Sequence, residues 1–278
     1  MKTLGNLTFI LSKNKCNKSC PFCIAKSSNK LYNKDIILED EFSRLEQILI
    51  KLESENIVFN RFVLSGNGEP SLYSLEELAK IVYTIKKHEK MFNGFRIHTS
   101  GNIFFEDDKF SLFNELPNIE YNIFRISFNN EEDKKILKYT RNYLNTELFK
   151  LAKKVKCDVA LTKKLNLQNF YNDLINFTNN NHSIKTIRLK ELLIPNNICK
   201  EREWILKTKL DVSQIDEIKR SIVFDKNNIL NKIIGEKYYY NNKNIEIIYG
   251  ESGNYKYYKN DLIIFNNHLL KYNEEVIY

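Results

Sequence analysis

The chain has 278 residues, 42% hydrophobic and 13% aromatic, which is enough apolar material for one large domain, or one domain with an appendage. No apolar run approaches the roughly 18 residues of a membrane-crossing helix, and "MKTLGNLTFILSKN" lacks a signal-peptide cleavage site, so a cytoplasmic protein with no membrane partner is expected. The net charge of +8 is carried mostly by Lys scattered among Asn, Ile and Tyr; it fits an anionic small substrate or a solvated surface as well as nucleic acid.

In chain order, "NLTFIL" (6–11) reads as a short apolar strand. Phe42, Leu45, Ile48, Leu49 and Leu52 then recur at helical spacing. "IVFNRFVLS" (57–65) is the next strand, and Ser74 with Glu77 forms a capping box opening a helix. Strands at 94–100 and 121–128 bracket a short helix near 107–115, and 131–154 reads as one helix. A strand at 156–162, a helix over 167–180 and a strand at 184–192 complete six strands alternating with five helices. That alternation implies βα repeats, a parallel sheet and right-handed crossovers that curl it toward a barrel. Beyond Pro195 it stops: 200–234 reads as helical, and the Tyr- and Ile-rich stretch from 244 reads as a hairpin turning at "KND".

Residues 13–26, "KNKCNKSCPFCIAK", hold three of the five cysteines, Cys16, Cys20 and Cys23, spaced C-x3-C-x2-C. They follow the first strand, at the rim where βα folds carry their chemistry. In a reducing cytosol such cysteines serve metals more often than disulfides, and thiolates select soft metals and iron–sulfur clusters. A closed zinc site needs a fourth ligand, from one of the four histidines, Cys157 or Cys199. A four-iron cluster on three thiolates instead leaves one iron open to a non-protein ligand. Phe22 is placed to shield such a site from water. Only Cys157 and Cys199 remain downstream, too few for a second cluster, and Cys157 reads as a buried strand residue.

The second strand ends in "SGNGEP" (65–70), a Gly-rich turn that lets backbone approach a ligand. The third ends in "HTSGN", where Thr99, Ser100 and Asn102 serve as ligand contacts or as helix caps. Arg141 follows the strand-end Ser127 by 14 residues, and its fork suits a carboxylate. Thr162 ends the fifth strand. Arg188 and Lys190 alternate along the sixth and so share a face. The Tyr- and Lys-rich 250–261 segment suits stacking on a nucleotide or peptide, or plain packing.

The C-x3-C-x-aromatic-C loop resembles that of the radical S-adenosylmethionine (SAM) superfamily, and the ordered motifs extend the likeness over roughly residues 4–192. The resemblance implies a 4Fe–4S cluster on Cys16, Cys20 and Cys23 whose open iron takes S-adenosyl-L-methionine. It implies one-electron reduction by a donor such as flavodoxin or ferredoxin, and a 5′-deoxyadenosyl radical that abstracts hydrogen from substrate. Gly68, Glu69 and Pro70 match the family's "GGEP" element with Asn67 replacing its first Gly, so Gly66–Pro70 are expected at SAM. The likeness also assigns Thr99, Ser100, Asn102, Ser127, Arg141 and Thr162 to SAM contacts. Arg188–Leu192 resembles an R-x-x-E-L segment of the molybdopterin-precursor cyclases.

The expected fold is α/β, a partial (β/α)6 barrel over residues 1–194 with a C-terminal α+β extension, 195–278, that closes it and contributes to substrate binding. The expected substrate is a small anionic molecule such as a nucleotide. A peptide fits less well, without a leader-binding domain, and RNA lacks a recognisable module. No residue is assigned to the chemistry on substrate. The alternative is a non-catalytic iron–sulfur or zinc protein that binds nucleic acid through its positive surface.

Overall fold

The computed structural model describes residues 2–11, 16–23, 38–66, 68–192, 194–195, 198–222, 237–240, 245–250, 261–265 and 268–271. Strands and helices alternate as β1 (Lys2–Leu11), α1 (Leu38–Ser54), β2 (Ile57–Gly66), α2 (Leu75–Lys87), β3 (Phe95–Thr99), α3 (Asp107–Asn114), β4 (Ile119–Arg125), α4 (Asn130–Leu137), α5 (Glu147–Leu151), β5 (Val155–Ala160), α6 (Phe170–Asn180) and β6 (Ile184–Lys190). They are followed by α7 (Lys200–Thr208), α8 (Val212–Ile222), β7 (Lys237–Tyr240), β8 (Ile245–Gly250), β9 (Leu262–Phe265) and β10 (His268–Lys271). The chain divides into two compact units: Met1–Asn17 with Ser28–Tyr121 and Tyr255–Tyr278, and Lys18–Ser27 with Asn122–Asn254. The division falls inside β4.

In the first unit the strands are ordered β10-β9-β1-β2-β3. The β1–β2, β2–β3 and β1–β9 pairs are parallel, and β9–β10 is antiparallel. The β1–β2 register runs from Lys2↔Ile57 to Leu11↔Gly66. The two strands therefore finish level, and the cysteine loop and the GNGEP turn leave from neighbouring points. α1 buries Phe42, Leu45, Ile48, Leu49 and Leu52, and α2 buries Leu78, Ile81, Val82 and Ile85. Both are apolar faces at helical spacing, and burying one such side chain contributes about 1.5–3 kcal/mol. The capping box at α2 forms as the sequence implies. Ser74 Oγ accepts from the Glu77 N–H at 3.2 Å, and Glu77 Oε2 accepts from the Ser74 N–H at 2.8 Å, a cap contributing about 1 kcal/mol.

In the second unit the order is β4-β5-β6-β8-β7, with β5–β6 and β6–β8 parallel and β7–β8 antiparallel. Several boundaries depart from expectation. The 131–154 helix is two helices: Lys138 turns left-handed at φ 55° and ends α4. Asn142 then caps a single 3-10 turn, and Thr146 Oγ caps α5 by accepting from the Phe149 N–H at 3.2 Å. β4 ends at Arg125, which puts Ser127 in the following loop. The 200–234 stretch breaks at Asp211, whose Oδ1 accepts from the Gln214 N–H at 2.9 Å and opens α8; residues 223–234 lie outside the described residues, as do Lys259 and Asn260 of the "KND" turn. The expected single hairpin is two. β8 pairs with β7 and extends the sheet from β6, whereas β9 pairs with β10 and extends it from β1. Each hairpin covers a strand edge that would otherwise expose unpaired backbone groups.

Candidate functional site

In the first unit, a buried carboxylate ties the ends of β2 and β3 together. Glu69, 1% exposed, caps the Pro70–Leu72 turn. Its Oε1 accepts from the Ser71 N–H at 3.2 Å, the Ser71 hydroxyl at 2.7 Å and the Thr99 hydroxyl at 2.6 Å. Its Oε2 accepts from the Ser100 N–H. The same knot reaches the cysteine loop. Asn17 Oδ1 accepts from the Ser100 hydroxyl at 2.6 Å, and Asn17 Nδ2 donates to Asn102 Oδ1 at 3.3 Å. Asn102 Nδ2 donates to Ser71 Oγ at 3.1 Å, and Lys109 Nζ to the Ser71 carbonyl at 2.7 Å. Gly101, at φ 97°, makes the turn that starts the Asn102–Phe105 helical segment, a conformation costly for any residue with a Cβ. Glu69, Thr99, Ser100 and Asn102 are thus brought together by bonds among themselves and with Ser71. Glu69 spends both carboxylate oxygens on the protein, so its visible role is to position the two loops. Asn67 lies outside the described residues. Asn17 was missed by sequence reasoning; its signal is an amide side chain inside "CNKSC". Cys16, beside it, is exposed.

In the second unit the remainder of the cysteine loop is anchored at both backbone and side chain. The Ser19 N–H donates to the Leu137 carbonyl at 2.9 Å. Lys18 is buried with its Nζ 4.7 Å from the Tyr139 ring centroid and 5.4 Å from that of Tyr143, a contact that gains strength from desolvation. Cys20 and Cys23 are half-buried on either side of a turn closed by a Cys23 N–H to Cys20 carbonyl bond at 3.4 Å. Phe22 is buried between Phe124 and Trp204, with centroids 5.0 and 5.5 Å away. Its ring therefore faces away from water.

Ser127 belongs to a second knot. Asp133 Oδ1 accepts from the Ile126 and Ser127 N–H groups at 2.7 and 3.3 Å, and its Oδ2 accepts from the Tyr139 hydroxyl at 2.9 Å. Arg125 Nη1 lies 3.6 Å from that Oδ2. Arg125 also donates to the Ser127 carbonyl and to Asn130 Oδ1, and its guanidinium lies over the Phe177 ring. Burial opposes the charge on Arg125, but Asp133 beside it holds its pKa above the usual value. The same burial, with Asp133 adjacent, pushes the Tyr139 hydroxyl up. Ser127 Oγ donates to Glu132 Oε2 at 2.9 Å. Arg141 is exposed, past the end of α4, while Thr162 is buried in a turn where its Oγ accepts from the Lys164 N–H at 3.3 Å. Asp133 was missed because it sits in an acidic helix start, "NNEED", that reads as a solvated cap.

The remaining cysteines have other roles. Cys157 is fully buried in β5, and burial pushes its thiol far above the usual range, disfavouring the thiolate that a metal ligand needs. Cys199 caps α7, its Sγ accepting from the Arg202 N–H at 3.5 Å. Among the described residues no group of three or more His, Cys, Asp or Glu is already gathered as a metal site. The donor chemistry at Cys16, Cys20 and Cys23 nonetheless fits an iron–sulfur cluster: three sulfur donors within eight residues, one exposed and two half-buried.

No family model and no curated protein sequence matches the chain. Solved structures do. Streptococcus suis SuiB bound to the precursor peptide SuiA superposes with a TM-score of 0.64 at 13% identity, over 95% of this chain and 58% of SuiB. SuiB bound to S-adenosylmethionine superposes at 0.61, again at 13% identity, over 95% and 59%. Coproporphyrinogen III oxidase (HemN) from Escherichia coli, a radical SAM enzyme, superposes at 0.54 and 13% identity, over 80% and 52%. The fold is that of the radical SAM enzymes. The chain spans a little over half the length of each of these proteins, and the matched radical SAM fold is an α/β arrangement consistent with the partial barrel expected from the six βα repeats. Among the described residues no helix is long and apolar enough to cross a membrane.

Proposed function

We propose that this protein is a cytoplasmic radical SAM enzyme. The observation that carries the reading is the pairing of Leu11 with Gly66: in a fold shared with HemN and SuiB, a three-cysteine loop and a GGEP-like turn leave adjacent strand ends. Cys16, Cys20 and Cys23 hold a 4Fe–4S cluster through their thiolates. Bound there, such a cluster would supply one-electron chemistry, an electron from a flavodoxin- or ferredoxin-type donor for reductive cleavage of SAM to methionine and a 5′-deoxyadenosyl radical able to take a hydrogen atom from substrate.

The chain's own residues bind, orient and exclude water. Glu69 and Asn17 fix the β2, β3 and cysteine loops relative to one another by the bonds described above. The backbone of Gly66, Gly68, Glu69 and Pro70, with Thr99, Ser100 and Asn102, forms the SAM-facing rim, and Asn67 is assigned to SAM by the resemblance. Ser127, Arg141 and Thr162 are assigned to SAM by the resemblance, Arg141 through its methionyl carboxylate. Phe22 keeps water from the cluster side of its loop.

The favoured substrate is a small anionic molecule, consistent with the net charge of +8. A peptide is the second reading, favoured by the match of SuiB, seen with its precursor peptide, over 95% of this chain. The test is anaerobic reconstitution with iron and sulfide, followed by reduction in the presence of SAM. The reading predicts about four irons per chain and release of 5′-deoxyadenosine, both lost when Cys16, Cys20 or Cys23 is changed to Ala. A zinc-loaded protein that binds nucleic acid and yields no 5′-deoxyadenosine overturns it.

A further inference from the structure

Lys190 is the last residue of β6, and its surroundings on the sheet are unusual for a lysine. Arg188, two residues earlier and on the same face, is held bidentately by Asp158 of β5, with its Nε 2.9 Å from Oδ1 and its Nη2 on Oδ2. Asp158 is buried and also accepts from Asn122 Nδ2 of β4 at 3.3 Å. Lys190 itself is half-buried and makes no hydrogen bond or ion pair with any described residue. Its register partners on the two adjacent strands are Ala160 and Gly250, so among the described residues neither cross-strand partner carries a side chain larger than a methyl. Burial, then the Arg188 charge, lowers its pKa.

The face is identifiable. Phe124, two residues beyond Asn122 on β4, packs against Phe22. Ala160, two beyond Asp158, belongs to the cluster of Phe22, Ile126, Leu137, Tyr139 and Ile205. The turn between Cys20 and Cys23 therefore covers the same sheet face that carries Lys190. A half-buried ammonium next to a guanidinium already committed to its carboxylate is destabilised by desolvation and like charge. An anion placed between Ala160 and Gly250 would relieve both.

We propose that Lys190 binds the acidic group, carboxylate or phosphate, of a small substrate, with Arg188 as an adjacent cation whose orientation Asp158 fixes. The identification of that ligand as the substrate rests on the radical SAM reading; the anion site itself does not. The probes are inorganic phosphate and succinate, titrated calorimetrically at low ionic strength into the anaerobically purified full-length chain. Wild-type protein is expected to bind one of them saturably, tighter phosphate marking a phosphoryl substrate and tighter succinate a carboxylate. Losing one charge-assisted contact should weaken binding at least about tenfold in both K190Q and K190M, while K190R keeps most of it. Lys185 is exposed on the same strand, and K185Q should match wild type.

Saturable binding by neither anion, or K190Q and K190M binding as wild type does, overturns the proposal. Cluster content, measured on the same preparations, should be unchanged in K190Q, and both cluster content and 5′-deoxyadenosine yield should be unchanged in the exposed-site control K185Q. Lys190-dependent anion binding in a protein that forms no cluster would uphold the site and sink the radical SAM reading alone.

Discussion

Replacing Glu69 with Gln changes one oxygen to an amide and leaves the side-chain shape intact. The Gln carbonyl keeps three bonds if it takes the Oε1 position, where Ser71 N, Ser71 Oγ and Thr99 Oγ donate. Its amide then faces the Ser100 N–H, which donated to Oε2, so a donor meets a donor. One lost bond to a charged acceptor is worth about 1.5–3 kcal/mol, and the three surviving bonds weaken as the charge disappears. The expected destabilisation of E69Q is about 2–4 kcal/mol, a fall in melting temperature of about 3–7 °C for a chain of this size. The control is Glu76→Gln. Glu76 is exposed and meets only Lys80, one turn on, at 3.1 Å, so its loss should stay within about 0.5 kcal/mol. Urea denaturation followed by circular dichroism reads both. An E69Q protein within about 0.5 kcal/mol of wild type would refute the idea that this carboxylate ties the β2 and β3 loops. With the reasoning upheld, reconstituted E69Q should bind SAM more weakly at unchanged iron content.

Asp133→Asn leaves the Arg125 guanidinium, fully buried, without its counter-charge; breaking such a pair costs about 3–5 kcal/mol, and a urea-measured loss below about 1 kcal/mol would contradict the pairing. Asp158 is held well below the usual carboxylate range, burial being outweighed chiefly by Arg188. A depressed folded pKa adds stability that is complete above the unfolded value near about 3.9 and is lost as pH falls below it. D158N should therefore flatten the acid limb of a stability-against-pH curve while leaving the slope above about pH 6 unchanged. Cys157→Ala should leave iron content and 5′-deoxyadenosine yield at wild-type levels, because Cys157 is fully buried in β5, where its thiolate is disfavoured; loss of iron in this variant would mean that the ligand set is wrong.

Local chemistry made much of this protein legible. Alternating apolar strands and helical faces placed β1 to β6 within a few residues, and Ser74 with Glu77 marked the start of α2. The helix expected over 131–154 failed at Lys138, because a left-handed lysine has no sequence signature as strong as glycine's. Asn142 and Thr146, both good caps, were the available warning. The two C-terminal hairpins were out of reach because their pairings are non-local: β9 joins β1, and Asp261 accepts from the Asn6 backbone N–H at 2.7 Å across most of the chain. At the site, the motifs were visible but their internal bonds were not. Nothing in "GNGEP" says that Glu69 is shared between Thr99 and Ser100, and nothing in "FRISFNN" says that Arg125 is buried against Asp133 while Arg141 stays exposed.

The central claim is that three thiolates leave one iron for SAM. Electron paramagnetic resonance of the reduced, reconstituted protein with and without SAM tests it most directly. The account predicts a reduced-cluster signal whose g-values shift on adding SAM, and no such signal once Cys16, Cys20 or Cys23 is replaced by Ala. A signal that ignores SAM, or one that survives those replacements, would contradict it.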